Sequence, residues 1–195
     1  AIIFKYILEN GVVSRQDIAK HVGYSLPTVF SNVTELIEAG YLCEAGTFDS
    51  TGGRKAKMVA VSKNIRFSVG VDITRRHVRF VMLDLSGDLI ADSIERLAYV
   101  DSYEYYSEVG RMLESFLDAN SANRGKLMGV GVSIPGILNA EKTVISKSHV
   151  LGVEGLSLSN FYDHISYKTF FDNDANCAAF AEVDRQSKST AYFSL

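Results

Sequence analysis

The sequence predicts two domains, a small helical module closed by a β-hairpin and then an α/β domain built on a mixed sheet. Three observations carry this reading. Three short segments with apolar stripes, each with its own stop or cap, fill the first forty residues. A basic, glycine-rich turn between two apolar runs follows them. From residue 66 onward, β-rich runs alternate with helical ones. The length agrees, because 195 residues with 47% hydrophobic and 22% charged content can bury two cores. The boundaries fall at 1–62 and 66–195.

Residues 2–8 place Ile2, Ile3, Phe4, Ile7 and Leu8 at helical spacing, and Asn10-Gly11 stops that helix. Ser14-Arg15-Gln16-Asp17 reads as a capping box with Asp in the place of Glu. It opens a short helix with Ile18, Ala19 and Val22 on one face and Gly23 at its end. Ser25 caps a third helix with Pro27 in its first turn, and Val29, Val33, Leu36 and Ile37 form its stripe as far as Ala39-Gly40. Residues 41–44 and 58–61 read as strands around Thr51-Gly52-Gly53-Arg54-Lys55.

Two helices joined at Gly23, the second capped and followed by a basic hairpin, have the spacing of a winged helix-turn-helix. Such a module takes a double-stranded DNA operator as its partner. The outward face of the third helix offers Ser25, Thr28, Phe30, Ser31 and Asn32, mostly short donors and acceptors suited to base edges. Arg54, Lys55 and Lys57 of the wing suit phosphate or the minor groove. Residues 1–62 hold six Lys and Arg against six Asp and Glu, a net charge of zero. Phosphate neutralisation supplies much of the affinity for DNA, so a neutral module points to a homodimer or tetramer on paired half-sites. The competing reading of the module is a surface for protein contacts.

In the second domain, residues 67–74, 78–85 and 89–97 are β-rich and separated by Arg75-Arg76-His77 and Ser86-Gly87-Asp88, which predicts a three-strand meander. A helix over 101–120 turns Tyr105, Val109, Met112, Leu113, Phe116 and Leu117 inward, and the strand 127–134 ends at Pro135-Gly136. There follow a loosely patterned stretch to Gly155, a short helix over 157–164, a strand over 168–172, a helix over 175–186 and a β-like run over 190–195. A final strand with no following turn, and a first residue that is not Met, read as part of a longer protein.

A formal net charge of −3 excludes a polybasic nucleic-acid coat or a membrane-surface binder. Cys43 and Cys177 lie too far apart for a C-x-x-C clip, so no metal site is expected. With no apolar run near 18 residues and no signal peptide, no membrane partner is expected and the expected home is the cytoplasm.

The order Ser50-Thr51-Gly52-Gly53-Arg54-Lys55-Ala56, Val69-Gly70-Val71-Asp72, Gly129-Val130-Gly131-Val132-Ser133-Ile134-Pro135-Gly136 and Asn173-Asp174-Ala175-Asn176 resembles the ROK family of repressors and sugar kinases. The resemblance runs over essentially the whole chain. It implies an actin-like, ribonuclease-H-like ATPase fold from residue 66, present as an incomplete N-terminal lobe. It further implies a DNA-binding transcriptional regulator, a repressor of carbohydrate-metabolism genes controlled by a sugar or sugar phosphate. The alternative it implies is a sugar kinase with an accessory N-terminal domain.

In the kinases of the family the first strand leads into Asp-x-Gly-Gly-Thr, whose glycines admit the nucleotide phosphates. Here Asp72-Ile73-Thr74-Arg75-Arg76-His77 keeps the Asp and lacks both glycines, so ATP binding and enzyme activity are not expected. Arg75 and Arg76 suit either an anion or a solvated turn. The resemblance maps the family's catalytic base onto Asp174, here vestigial, and assigns Gly136, Asn173 and Asp174 to effector binding. Asp174 equally suits the N-cap of the helix that follows it. The Gly131-to-Gly136 run suits either a ligand wall or a plain tight turn. Ser133 has no His and Asp partners at nucleophile spacing, and His149-Val150-Leu151-Gly152-Val153 lacks the Asn and the aromatic of the family's sugar loop. The family's zinc site, its second phosphate loop and its far-lobe sugar contacts lie beyond this sequence, so no cofactor is expected in this chain and zinc belongs only to a full-length form.

Overall fold

The computed structural model describes residues 2–48, 56–63 and 65–182. The chain divides into one unit of Ala1–Arg66 with Asp84–Asp88 and a second of Phe67–Leu83 with Leu89–Leu195.

The first unit runs α1 (Ile2–Asn10), β1 (Val13–Ser14), α2 (Arg15–Val22), α3 (Leu26–Glu38), β2 (Leu42–Phe48) and β3 (Ala56–Val61). The capping box forms as its residues require. The Asp17 backbone N–H donates to the Ser14 hydroxyl at 3.1 Å, and the Asp17 carboxylate accepts from the Ser14 hydroxyl at 2.6 Å and from its N–H at 3.4 Å. Gly23, at φ +71°, donates its N–H to Ala19 O and ends α2 in a left-handed turn. Ile3, Ile7, Val13, Ile18, Val29, Val33, Leu42, Val59 and Val61 make the core. Leu85 packs against it, and Lys63 pairs with Asp88 at 2.5 Å. The sheet has the order β1-β3-β2. The sequence reading omits β1, a two-residue strand opposite Val59 and Met58 that is too short to show any period.

The second unit runs β4 (Phe67–Ile73), β5 (His77–Asp84), β6 (Leu89–Arg96), α4 (Tyr103–Ala119), β7 (Leu127–Ile134), β8 (Ile137–Leu138), β9 (Val144–Ser148), β10 (Val153–Ser157), α5 (Ser159–Tyr162), β11 (Thr169–Asn173) and α6 (Asp174–Glu182). Its main sheet has the order β11-β7-β4-β5-β6, with β7 parallel to both β4 and β11. Alternation along the strands buries Val69, Val71, Ile73, Val78, Phe80, Val130, Val132 and Ile134 in one cluster with Tyr105, Tyr106, Val109, Leu113, Phe116 and Leu117 of α4. Phe80 and Phe116 stack at 5.7 Å between ring centroids. Met112, expected inside, is only half-buried, while Gly110 is buried because α4 runs against the backbone at His164, whose oxygen would lie 2.3 Å from an added Cβ.

The stretch from 137 to 157 departs from expectation. It folds into a second antiparallel sheet of order β10-β9-β8 with two- to five-residue strands, Gly152 in the turn between β9 and β10 and Gly155 within β10 both standing at φ near +70°. Strands so short and so exposed lack the period that a longer, half-buried strand prints on its sequence. The helix expected over 157–164 contracts to α5. The β-like run over 190–195 and the end of the helix expected over 175–186 lie outside the described residues. Among the described residues no helix is long and apolar enough to cross a membrane.

Candidate functional site

On α3, Ser25 stands in extended geometry as the N-cap. The Thr28 N–H donates to its hydroxyl at 3.3 Å, and the Ser25 and Thr28 hydroxyls lie 2.8 Å apart. Buried Val29 and Val33 fix the inward side of the helix, which turns Thr28 and Ser31 outward. Phe30 and Asn32 fall on the two flanks. The Phe30 ring lies 4.9 Å from the Arg15 guanidinium carbon. Asn32 donates to Thr28 O at 2.8 Å and lines a groove of about 570 Å³ with Ile2, Tyr24, Glu35 and Tyr41.

Arg15 was not singled out by the sequence, where it reads only as the second residue of a capping box. It is 8% exposed, and its Nε has no hydrogen-bond partner among the described residues. Its Nη2 lies 3.8 Å from Glu44, which accepts from Lys57 Nζ at 3.0 and 3.2 Å. The Lys57 hydrogen bond holds the Glu44 carboxyl below its ordinary pKa. Phe30, Arg15, Glu44 and Lys57 therefore form one chain of contacts from α3 to β2 and β3. Arg54 and Lys55 lie outside the described residues.

In the second unit the parallel strands β4, β7 and β11 end side by side. Their register sets Asp72 opposite Ser133 and Ser133 opposite Asp172, a row of three polar side chains on one face. The Ser133 hydroxyl donates to Asp72 Oδ1 at 2.8 Å. Asp172 accepts from Lys142 and, at 2.9 Å, from Asn176 Nδ2. Burial pushes the Asp172 carboxyl up, but Lys142, Asn176 and the Asn173 N–H together hold it below its ordinary value. Lys142 sits at φ +53° in a turn where Asn139 Oδ1 accepts from the N–H groups of Thr143 and Val144.

Asn173 joins two elements. Its Nδ2 donates to Gly136 O at 2.6 Å, and its Oδ1 accepts from the N–H groups of Ala175 at 2.9 Å and Asn176 at 3.2 Å. The capping considered for Asp174 thus falls chiefly to Asn173. The exposed Asp174 opens α6, and its Oδ1 accepts from the Ala175 N–H at 2.9 Å. Gly136, at φ +145°, lies so close to β9 that an added Cβ would stand 2.9 Å from Lys147 O. Within β7, an added Cβ at Gly131 would meet nothing within 4 Å. Cys177 of α6 completes the cluster, its thiol pushed up by burial and by the carboxylates of Asp172, Asp72 and Asp174. The sequence reading missed Lys142, Asp172 and Cys177 and quoted Asn176 only as a motif member; strand register and the β8–β9 turn bring Lys142 and Asp172 to this place, and α6 brings Asn176 and Cys177. Among the described residues no group of three or more His, Cys, Asp or Glu is placed to hold a metal ion.

The β4–β5 turn closes on itself. Thr74 Oγ1 donates to His77 O at 2.9 Å and accepts from its N–H at 3.0 Å, while Arg75 and Arg76 are exposed. His149 is also exposed.

The profile of the ROK family matches residues 68–193, more than half of the sequence. The chain belongs to the ROK family. Ahead of its ROK domain, residues 2–42 match winged helix-turn-helix DNA-binding. The ROK chain is 25% identical over 182 residues to the xylose repressor of Bacillus subtilis strain 168, covering 93% of this chain and 47% of that protein. It is 23% identical over 183 residues to the N-acetylglucosamine repressor of Escherichia coli O6:H1, covering 93% and 45%. The chain thus spans about half the length of the curated relatives it matches. A crystal structure of a ROK family transcriptional regulator, described as a homologue of the E. coli MLC protein, superposes with a TM-score of 0.69 at 20% identity, over 93% of this chain and 46% of that one. From residue 67 the fold is the actin-like, sugar-kinase fold of the ROK family, present in part.

Proposed function

We propose that this ROK protein is a DNA-binding transcriptional repressor of carbohydrate-metabolism genes, released from or secured on its operator by a sugar or sugar phosphate. The observation that carries the proposal is the capped α3, which presents Thr28 and Ser31 outward within a winged helix-turn-helix that precedes a ROK domain. Relatives that span both parts bear the names of sugar repressors. The effector engages the ends of β7 and β11, exchanging hydrogen bonds with the Gly136 carbonyl, Asn173 and Asp174. Two copies in the cytoplasm occupy paired half-sites, because the DNA-binding module has no net charge of its own.

In this reading the domain is not an enzyme. The residues after Asp72 form a tight turn fastened by Thr74, with side chains where a phosphate loop needs glycine. Asp174 then serves the effector site without abstracting a proton.

Fluorescence anisotropy tests the proposal, using labelled duplex from upstream of the protein's own gene against an unrelated duplex at two salt concentrations. Tighter binding to the upstream duplex, falling steeply with salt, is expected. Thr28→Ala with Ser31→Ala lowers that specific affinity about tenfold or more and leaves binding to the unrelated duplex unchanged. Equal, weak binding to both duplexes overturns the repressor reading. Sugar-dependent ATP consumption that disappears in Asp174→Asn establishes a kinase instead.

A further inference from the structure

We propose that β6 is an interface between two copies of this chain, paired antiparallel about a two-fold axis at Ile94. It ends the five-stranded sheet, with β5 on one side and no strand on the other among the described residues. Natural edge strands are blunted by proline, charge or bulges; 89–96 contains no proline or lysine, and its charges are Asp92, Glu95 and Arg96. Leu89, Ile90 and Ile94 are exposed by 50 to 59%.

The backbone determines which groups this edge offers. Leu97 N donates to Arg76 O, continuing the register that sets His77 opposite Arg96. Odd-numbered residues therefore turn their backbone groups toward β5, and Asp92, Ile94 and Arg96 turn theirs to the free edge. Symmetric pairing of two copies must oppose these even-numbered residues. A two-fold axis at Asp92 sets like carboxylates against each other. An axis at Ser93 sets Asp92 against Ile94. An axis at Ile94 sets Ile94 against itself and Asp92 against Arg96 of the second copy, twice. Side chains agree with that register. Arg79 Nη2 holds Asp92 in place at 3.1 Å, and Arg96 makes no ion pair among the described residues. Only the third register satisfies both charge and apolar surface.

This interface goes beyond the repressor reading and is tested without DNA, so either can fail alone. Sedimentation velocity of the whole chain over a concentration series reads the association, and circular dichroism confirms that each variant folds. A dimer is expected. Arg96→Glu opposes acids across the axis and raises its dissociation constant about tenfold. In a Cys43→Ser background, Ile94→Cys cross-links on mild oxidation, since directly opposed residues of this kind lie about 5.5 Å apart at Cα, within disulfide reach. Asp92→Cys, out of register with itself, cross-links at least about tenfold more slowly. A monomer at every concentration, a dimer indifferent to Arg96→Glu, or equal cross-linking at both positions overturns the proposal.

Discussion

The outward face of α3 and the strand ends of the second unit are both polar surfaces, but their hydrogen bonds go to different places. Ser31 makes no side-chain hydrogen bond among the described residues, and Thr28 is engaged only with its neighbour Ser25. At the strand ends, Ser133 is bound to Asp72, Asn173 to Gly136, and Asp172 to Lys142 and Asn176. At Ser31 a partner meets a hydroxyl with no internal bond to break, and elsewhere on this face the internal bonds are local to the helix. A ligand at the second must replace internal bonds, each of which leaves a costly unpaired group if it is broken without substitution. Under the proposed function, the first surface would be read directly by DNA and the second would exchange hydrogen bonds with a small polyhydroxylated effector.

Breaking one side of this comparison should leave the other standing, because each unit has its own core. The largest effect is expected from Phe80→Ala. The ring is fully buried against Phe116, so its loss should cost about 3–5 kcal/mol and melt the second unit. Calorimetry should show that transition fall while the first unit's transition stays. Gly136→Ala sharpens the contrast at the site itself, since the close approach to β9 and the positive φ should cost about 1–3 kcal/mol. Urea titration should register the loss, with weaker effector binding beside it. Ser14→Ala removes the cap of α2 and should cost the first unit about 1 kcal/mol, read by the same titration.

The smallest effect concerns pH. Asp172 has a depressed folded pKa, so its contribution to stability is complete above the ordinary carboxylate range and is lost as pH falls through the folded value. Lys142→Met should raise the Asp172 pKa. The stability difference from the parent should be present at neutral pH and vanish on acidification, which NMR titration and acid unfolding can follow together.

Legibility in the sequence followed the range of the interactions. The capping box at Ser14, the left-handed stop at Gly23, the Ser25 cap and the bounds of β7 are settled within a few residues, and the structure repeats them. Asn173 and Gly136 could be singled out as motif members. Their mutual hydrogen bond could not, because it joins residues 37 positions apart. Phe30 could be singled out on the exposed side of its helix, but the Arg15 guanidinium beneath its ring could not, because it comes from another helix.

By itself the sequence determined the two-part organisation, the helix caps, the apolar faces and the family, all of which rest on short-range periodicity or on contiguous motifs. Only the tertiary structure decided the row Asp72, Ser133 and Asp172, the aim of Lys142, the burial of Arg15 and the place of β6 at the end of the sheet among the described residues. Strand register and packing bring together residues that no local pattern links, and a one-residue slip of its strand would turn Asp72, Ser133 or Asp172 to the other face.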